Sequence, residues 1–316
     1  MSQRDDLDFT TLNWVKQELD ETLKQARQAL EAYVDDPADS SLMRFCATYL
    51  HQVQGTLRMV ELYGAAQVSE EMERLAQAIL DGKAKSGEDT YTVLMRGIVQ
   101  LPDYLERLQG GHKDIPIVLL PLLNDLRSAR GEGLLSETAL FSPNLYVDLP
   151  AQAAGAASPL PEGELKTQAA RLRGAFQTSL VRWFRDDEPE AMLARLFAVL
   201  ERLRSLCHVT EARRLWWIAS VVVDGIKHGA IEVNLTVKLL FGKVDREIKH
   251  LVDSGEPSFR AAPANDLVKN LLYYIAHAAP DTARTRLVKA TYGLSTLIPD
   301  AAELEHAKGS LAGRNR

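Results

Sequence analysis

The sequence predicts an all-α protein made of two helical-bundle domains, and three observations carry that prediction. Apolar residues recur at three- and four-residue spacing in one segment after another. No stretch alternates apolar and polar residues as a half-buried strand does. Between about residues 142 and 163, Pro143, Pro150, Pro159 and Pro161 enclose the run Ala151-Gln152-Ala153-Ala154-Gly155-Ala156-Ala157-Ser158, a composition that reads as a flexible Ala/Pro-rich linker. The expected organisation is a bundle over 1–141, the linker over 142–163, a second helical domain over 164–298 and a flexible tail over 299–316.

The first bundle opens with a long helix from Asp8 to Tyr33, its apolar side carrying Leu12, Val15, Leu19, Leu23, Ala26, Leu30 and Tyr33. Pro37 stops it, and Asp39-Ser40 can cap the next helix. That second helix carries Leu42, Phe45, Cys46, Tyr49, Val53, Leu57 and Val60 at helical spacing and is expected to run on to Gly64. Ala65 to Leu80 follows, closed by Asp81-Gly82. Thr90 to Leu108 is helical in pattern with a kink or new turn at Pro102. Ile115 to Arg130 is helical too, with Pro116 in its first turn and an irregularity at Pro121.

The second domain reads as helices from Glu164 to Phe184, Pro189 to about Cys207, Thr210 to His228, Glu232 to Val252, Asn265 to Ala278 and Thr282 to Leu297. The Thr210 segment contains Leu215-Trp216-Trp217-Ile218 and Val221-Val222-Val223 and is apolar around most of its circumference. It is therefore the expected central helix of that domain.

The formal net charge is -6, with 46% hydrophobic and 25% charged residues; this is ordinary for a globular protein and argues against a dedicated nucleic-acid binder. Residues 1–130 hold 14 Lys+Arg against 21 Asp+Glu, whereas the remainder holds 23 against 22. The first half is thus the acidic one, a property that tunes association more than fold. Cys46 and Cys207 do not make a disulfide framework and are expected reduced and structural. The start has no apolar leader core and no apolar run approaches 18 residues, so neither a leader nor membrane insertion is expected and a cytoplasmic location is.

One histidine stands apart. With the apolar stripe of the second helix centred near Tyr49 and Val53, His51 falls about 180° away at 100° per residue. Ala47 and Gly55 lie one turn to either side of it, Arg44 and Arg58 two turns away. The imidazole is expected to face outward on a bare patch flanked by cations. His51-x-x-Gln54-Gly55-Thr56 resembles the histidine phosphotransfer (Hpt) pattern H-x-x-K-G-[ST]. In that pattern the glycine clears room for a response regulator and a nearby cation steadies the phosphoryl charge. Two positions depart from it: Gln54 replaces the lysine, and Glu61 stands where the family has a second glycine.

A wider resemblance rests on Asn13-Trp14-Val15-Lys16, Thr22 to Leu30, His51 to Leu57 and Pro121 to Arg127. These segments are similar to the amino-terminal region of the ChpA-type hybrid chemosensory histidine kinases and to the FimL-type scaffolds related to it. The resemblance implies a cytoplasmic signalling protein that couples surface sensing to type IV pili and twitching motility. Its implied partners are CheY-like response regulators, a histidine kinase core or polar scaffold proteins. No Gly-rich nucleotide-binding box, CheW-like β-rich region or receiver-type α/β alternation is present, so no ATP-dependent kinase activity and no cofactor are expected.

Three readings follow. In the first, Nε2 of His51 accepts a phosphoryl group from an aspartyl phosphate with Gln54, Gly55, Thr56 and Arg58 assisting. In the second, the site is degenerate and the helical surface only docks signalling partners; Gln54 and Glu61 favour it. The third is a metal-dependent helical enzyme built on Glu247-x-x-His250 and Glu303-x-x-His306, the spacing that di-iron bundles use. Arg202, Arg204 and Arg213-Arg214 are clusters that could seat an acidic partner or simply be solvated, and His208, His228 and His277 have no companion spacing that suggests catalysis.

Overall fold

The computed structural model describes residues 3–85 and 87–299, apart from the side chains of residues 3–10 and Glu162, and contains thirteen α-helices and no strand among those residues. The all-α class read from the periodicity is the one observed. The helices fall into two units, within Met1–Leu140 and within Phe141–Ile298.

The first unit comprises α1 (Gln3–Asp35), α2 (Ser40–Met59), α3 (Tyr63–Leu80), α4 (Glu88–Gln109), α5 (Leu120–Ala129) and the single turn α6 (Glu137–Leu140). α2 packs between α1 and α3, α4 packs against α1 and α3, and α5 lies on α3 and α4. Leu12, Leu19, Leu23, Leu30, Leu50, Leu57, Met72, Leu75, Leu105 and Leu123 are all but fully buried, each contributing on the order of 2 kcal/mol of apolar transfer. Asp39 caps α2 by accepting from the Ser41 N–H at 3.1 Å, as its residue type predicts. Pro102 lies inside a continuous α4, and Pro121 lies where a 3-10 turn, Pro116–Leu119, passes into α5.

The expectation that the His51 helix runs to Gly64 is overturned. α2 stops at Met59, and Glu61 takes φ 60° in the turn to α3, while the Leu62 N–H bonds the Leu57 carbonyl at 2.9 Å. This is a helix stop of the kind glycine usually fills. Gly64 instead opens α3, where its N–H donates to Asp114 at 3.1 Å and where a Cβ would meet the same carboxylate.

The second unit comprises α7 (Glu162–Phe184), α8 (Pro189–Leu206), α9 (Thr210–Lys227), α10 (Leu235–Ser254), the short α11 (Ser258–Ala261), α12 (Asn265–Ala276) and α13 (Ala283–Tyr292). As predicted, α9 is the central helix: Leu215 through Ile226 are buried without a break, and α8, α12 and α13 pack around it. Trp216 is fully buried with its ring edge-on to Phe259, centroids 5.9 Å apart. Buried Glu256 accepts the backbone N–H groups of His208 and Val209 at the start of α9, supplying the anion that a helix N-terminus favours.

The Ala/Pro-rich stretch is not the flexible connection its composition suggests; it is a strap bound to the second unit. Phe141 and Ala153 are buried, and the Ala156 N–H donates to the Cys207 carbonyl at 2.9 Å. Arg204 donates to the Ala154 carbonyl, Arg213 to that of Ala153 at 3.3 Å and Arg214 to that of Leu145 at 3.0 Å. Gly155 passes so close to the Cys207 carbonyl and the Arg213 side chain that no Cβ would fit. Of the arginines that read as solvated surface or a seat for an acidic partner, Arg204, Arg213 and Arg214 are therefore occupied by the chain's own backbone carbonyls, while Arg202 donates instead to the Gln168 side chain at 3.3 Å.

Candidate functional site

His51 projects from α2 with its side chain 71% exposed, so the outward imidazole read from the helix period is present. The frame around it differs from the expected one. The buried stripe of α2 is Met43, Cys46, Leu50, Val53 and Leu57, and Phe45 is 54% exposed. That stripe centres near Leu50, not Tyr49, which places His51 roughly 120° from the core instead of opposite it. Ala47, expected on the bare face, is buried. The reason is α3, which covers the Ala47 side. Its Ala65, Ala66, Ser69 and Ala76 are fully buried, small enough to let two helices approach closely. The Ser69 hydroxyl donates to the Leu50 carbonyl at 2.7 Å, fixing α3 beside the residue preceding His51.

That register brings Glu73 of α3 to His51. The imidazole Nδ1 lies 2.9 and 3.1 Å from the two carboxylate oxygens. A carboxylate only accepts, so the neutral ring carries its proton on Nδ1 and leaves the Nε2 lone pair free. Gln54, with its amide nitrogen turned toward α3, donates to Glu73 at 2.8 Å and accepts from Arg58 Nε at 3.2 Å. Arg58 donates on to Glu70 at 2.8 Å, and Arg74 donates to the same carboxylate at 2.5 Å. The network therefore alternates in sign and neutralises itself, with two carboxylates against two guanidinium groups.

Of the residues singled out in the sequence, Gln54, Gly55 and Arg58 share the His51 side of α2. Gly55 has no atom within 4 Å of where its Cβ would be, so the space beside the imidazole is open. Thr56, five residues on, is about 140° round the helix and half-buried; it does not join the group. Arg44 meets no carboxylate among the described residues and donates to Ser40 at 3.4 Å. Glu61 has left the helix altogether, so the negative charge beside the imidazole comes from Glu73. The exposed Phe45 and Met59, the latter 84% exposed, lie on the other flank of the face and give it an apolar margin. Glu70 and Glu73 were missed because spacing within α2 says nothing about the register of α3; the acidic run Glu70-Glu71-Met72-Glu73 was the available signal.

No cluster of three or more His, Cys, Asp or Glu able to hold a metal occurs among the described residues. Glu247 and His250 face each other, 3.3 Å apart, and His250 stacks on Phe259 at 4.7 Å between centroids; Glu303 and His306 lie outside the described residues. No helix of the described residues is long and apolar enough to cross a membrane. Both thiols are free and buried, and burial pushes Cys46 and Cys207 up to about 12.

A family model described as the FimL scaffold protein second domain matches residues 161–305, and one described as the FimL C-terminal domain matches residues 10–120. The C-terminal-type domain thus precedes the second-domain type in this chain. Scaffold protein FimL of Pseudomonas aeruginosa is 32% identical over 305 residues, covering 96% of this chain and 53% of that protein. The chain spans about half the length of the curated relative it matches. No solved structure matches. Nothing in these matches extends to the hybrid kinase or to an Hpt domain. The chain belongs with the FimL scaffold proteins, as a homologue built from two FimL-family domains.

Proposed function

We propose that this chain is a scaffold module of a type IV pilus chemosensory system that docks CheY-like receivers on the α2–α3 face of its first unit, with His51 as the phosphoacceptor. One observation carries the proposal: a solvent-facing imidazole whose Nδ1 is held by Glu73 across two packed helices, beside a glycine that leaves room for an approaching protein. In that geometry Nε2 attacks the phosphorus of a receiver's aspartyl phosphate, the bond from phosphorus to the carboxylate oxygen breaks, and the carboxylate leaves with the electron pair. Glu73 orients the ring and offsets the positive charge that develops on it. Arg58 and Arg74 keep Glu73 and Glu70 from repelling the incoming phosphoryl group. The scaffold part of the reading is supported by the FimL homology; the receiver, the pilus system and cytoplasmic work rest on the sequence resemblance and on this geometry.

A specific observation favours a second reading, in which the face docks partners without accepting phosphate. The Gln54 amide, in the position where a lysine would reach the phosphoryl oxygens, is engaged by Glu73 and Arg58. Incubating the chain with a receiver radiolabelled at its aspartate separates the two. The phosphoacceptor reading expects acid-labile label on the native chain and none on His51→Gln. Equal absence of label on both, with docking retained, leaves the scaffold and rejects the chemistry.

A further inference from the structure

α7 and α10 run antiparallel in the second unit: Arg173 and Gln177 of α7 bond Asp245 of α10, and Lys238 lies over the Phe184 ring at 5.9 Å. Their outward side differs from that of other helix pairs in this unit. Val181, Phe184, Leu235 and Leu239 are 46%, 39%, 72% and 59% exposed. By helical period Leu235, Leu239, Gly242 and Arg246 share one stripe of α10, and Gly174, Val181 and Arg185 share one stripe of α7.

Two further properties point outward. Gly174 and Gly242 are interior to their helices, where glycine is unfavourable relative to alanine, yet no atom lies within 4 Å of either Cβ position. Nothing among the described residues requires them to be glycine. Arg185, Lys238, Lys243 and Arg246 have no carboxylate partner among the described residues, whereas Arg173, Arg182 and Lys249 of the same two helices are each paired with one. Cations without a carboxylate partner beside exposed leucines, in a half of the chain that is otherwise balanced at 23 Lys+Arg against 22 Asp+Glu, give this face a local excess of positive charge.

We propose that the α7–α10 face docks an amphipathic helix of a partner protein, with an apolar stripe flanked by aspartate and glutamate. The stripe lies along the seam over Val181, Leu235 and Leu239, and the two glycines let the partner's backbone come close. The acidic residues meet Arg185 and Arg246 at the ends of the two stripes and Lys238 beside them. Apolar contact supplies affinity, and the sign of the rim selects an acidic helix over a basic one.

The test uses the full chain and a fluorescein-labelled helical peptide of roughly 20 residues, long enough to follow both helices, with leucine at i, i+3, i+4 and i+7 and glutamate on both flanks. Anisotropy is expected to show binding that weakens with added salt, and at least tenfold weaker binding for Lys238→Glu/Arg246→Glu and for Leu235→Ser/Leu239→Ser. These surface changes are expected to leave the circular-dichroism melting curve unmoved, and Gly242→Leu serves as a second, fold-neutral block. The proposal is overturned if the acidic peptide does not bind, if both double variants bind it as tightly as the native chain, or if the lysine-flanked version binds equally well. It is also overturned if the face instead mediates self-association in sedimentation velocity, or binding to phosphatidylglycerol vesicles, that the same variants abolish while the peptide does not bind.

Discussion

The α2–α3 face of the first unit and the α7–α10 face of the second are alike in one respect and opposite in another. Each exposes glycine in mid-helix with empty space beside it: Gly55 in the first, Gly174 and Gly242 in the second. Around Gly55, however, the nearest charges are satisfied internally, His51 by Glu73 and Arg58 and Arg74 by Glu70, while Arg44, further along the helix, meets no carboxylate among the described residues. Around Gly242 the cations are left without acids. Openness alone therefore assigns no chemistry to a helical surface; its charge wiring does. A self-neutralised frame presents one nucleophilic atom, while an uncompensated rim selects a partner by sign.

Substitutions can break or sharpen that contrast, and the largest effects belong to charges and glycines that are not open. Glu71 is 5% exposed and bonds Arg127 at 2.8 Å and Arg130 at 3.1 Å. Glu71→Ala is expected to cost about 3 kcal/mol in urea unfolding, because two largely buried guanidinium groups lose the carboxylate they share and keep only the exposed Glu132, at 4.0 and 3.3 Å. Its exposed-network neighbour, Glu70→Ala, should cost below about 1 kcal/mol. Gly155→Ala is expected to cost about 3 kcal/mol, since a methyl group has no room against the Cys207 carbonyl, and to make the 141–160 strap sensitive to protease.

A smaller effect appears at alkaline pH. Both thiols are pushed up to about 12 in the folded chain, above the usual unfolded value of about 8.5. Between those values the unfolded state has lost a proton that the folded state keeps, so stability is fully present below about pH 8.5 and falls as pH rises toward 12. The slope is up to about 1.4 kcal/mol per pH unit for each thiol. Cys46→Ala should flatten it, as read from urea midpoints at pH 9 and 11. Smallest of all, Gly55→Ala, Gly174→Ala and Gly242→Ala should each raise stability by about 0.5–1 kcal/mol, in melting experiments, the reverse of Gly155→Ala.

Most helix boundaries were legible because period and caps are local properties. Asp39 at the start of α2 acts as the cap its residue type suggests and Thr282 opens α13 where the pattern begins, whereas Asn234, read as lying inside a helix from Glu232, proves to be the cap of α10; the unbroken apolar circumference of Thr210–Lys227 marks the central helix. The exposure of His51 was also legible, since it needs only the phase of one helix. Its partner Glu73 was not, because the register of α3 depends on the Ser69–Leu50 bond and on small residues that permit close approach. The strap was misread for the related reason that alanine, proline and glycine describe a mobile segment until something binds its carbonyls. Here Arg204, Arg213 and Arg214, some 50 to 70 residues further along the chain, do so. Glu61 was placed on the helix because a left-handed turn at a glutamate leaves no trace in composition.

The central claim is that the face bearing His51 is where a receiver lands, and titration of the chain with a fluorescent CheY-like receiver tests it most directly. Gly55→Arg, which fills the open space without touching the core, is predicted to weaken binding at least tenfold, while His51→Gln retains it within about threefold, a difference below ~1 kcal/mol. Native-like binding by Gly55→Arg, in a protein whose melting curve is unchanged, would contradict the account.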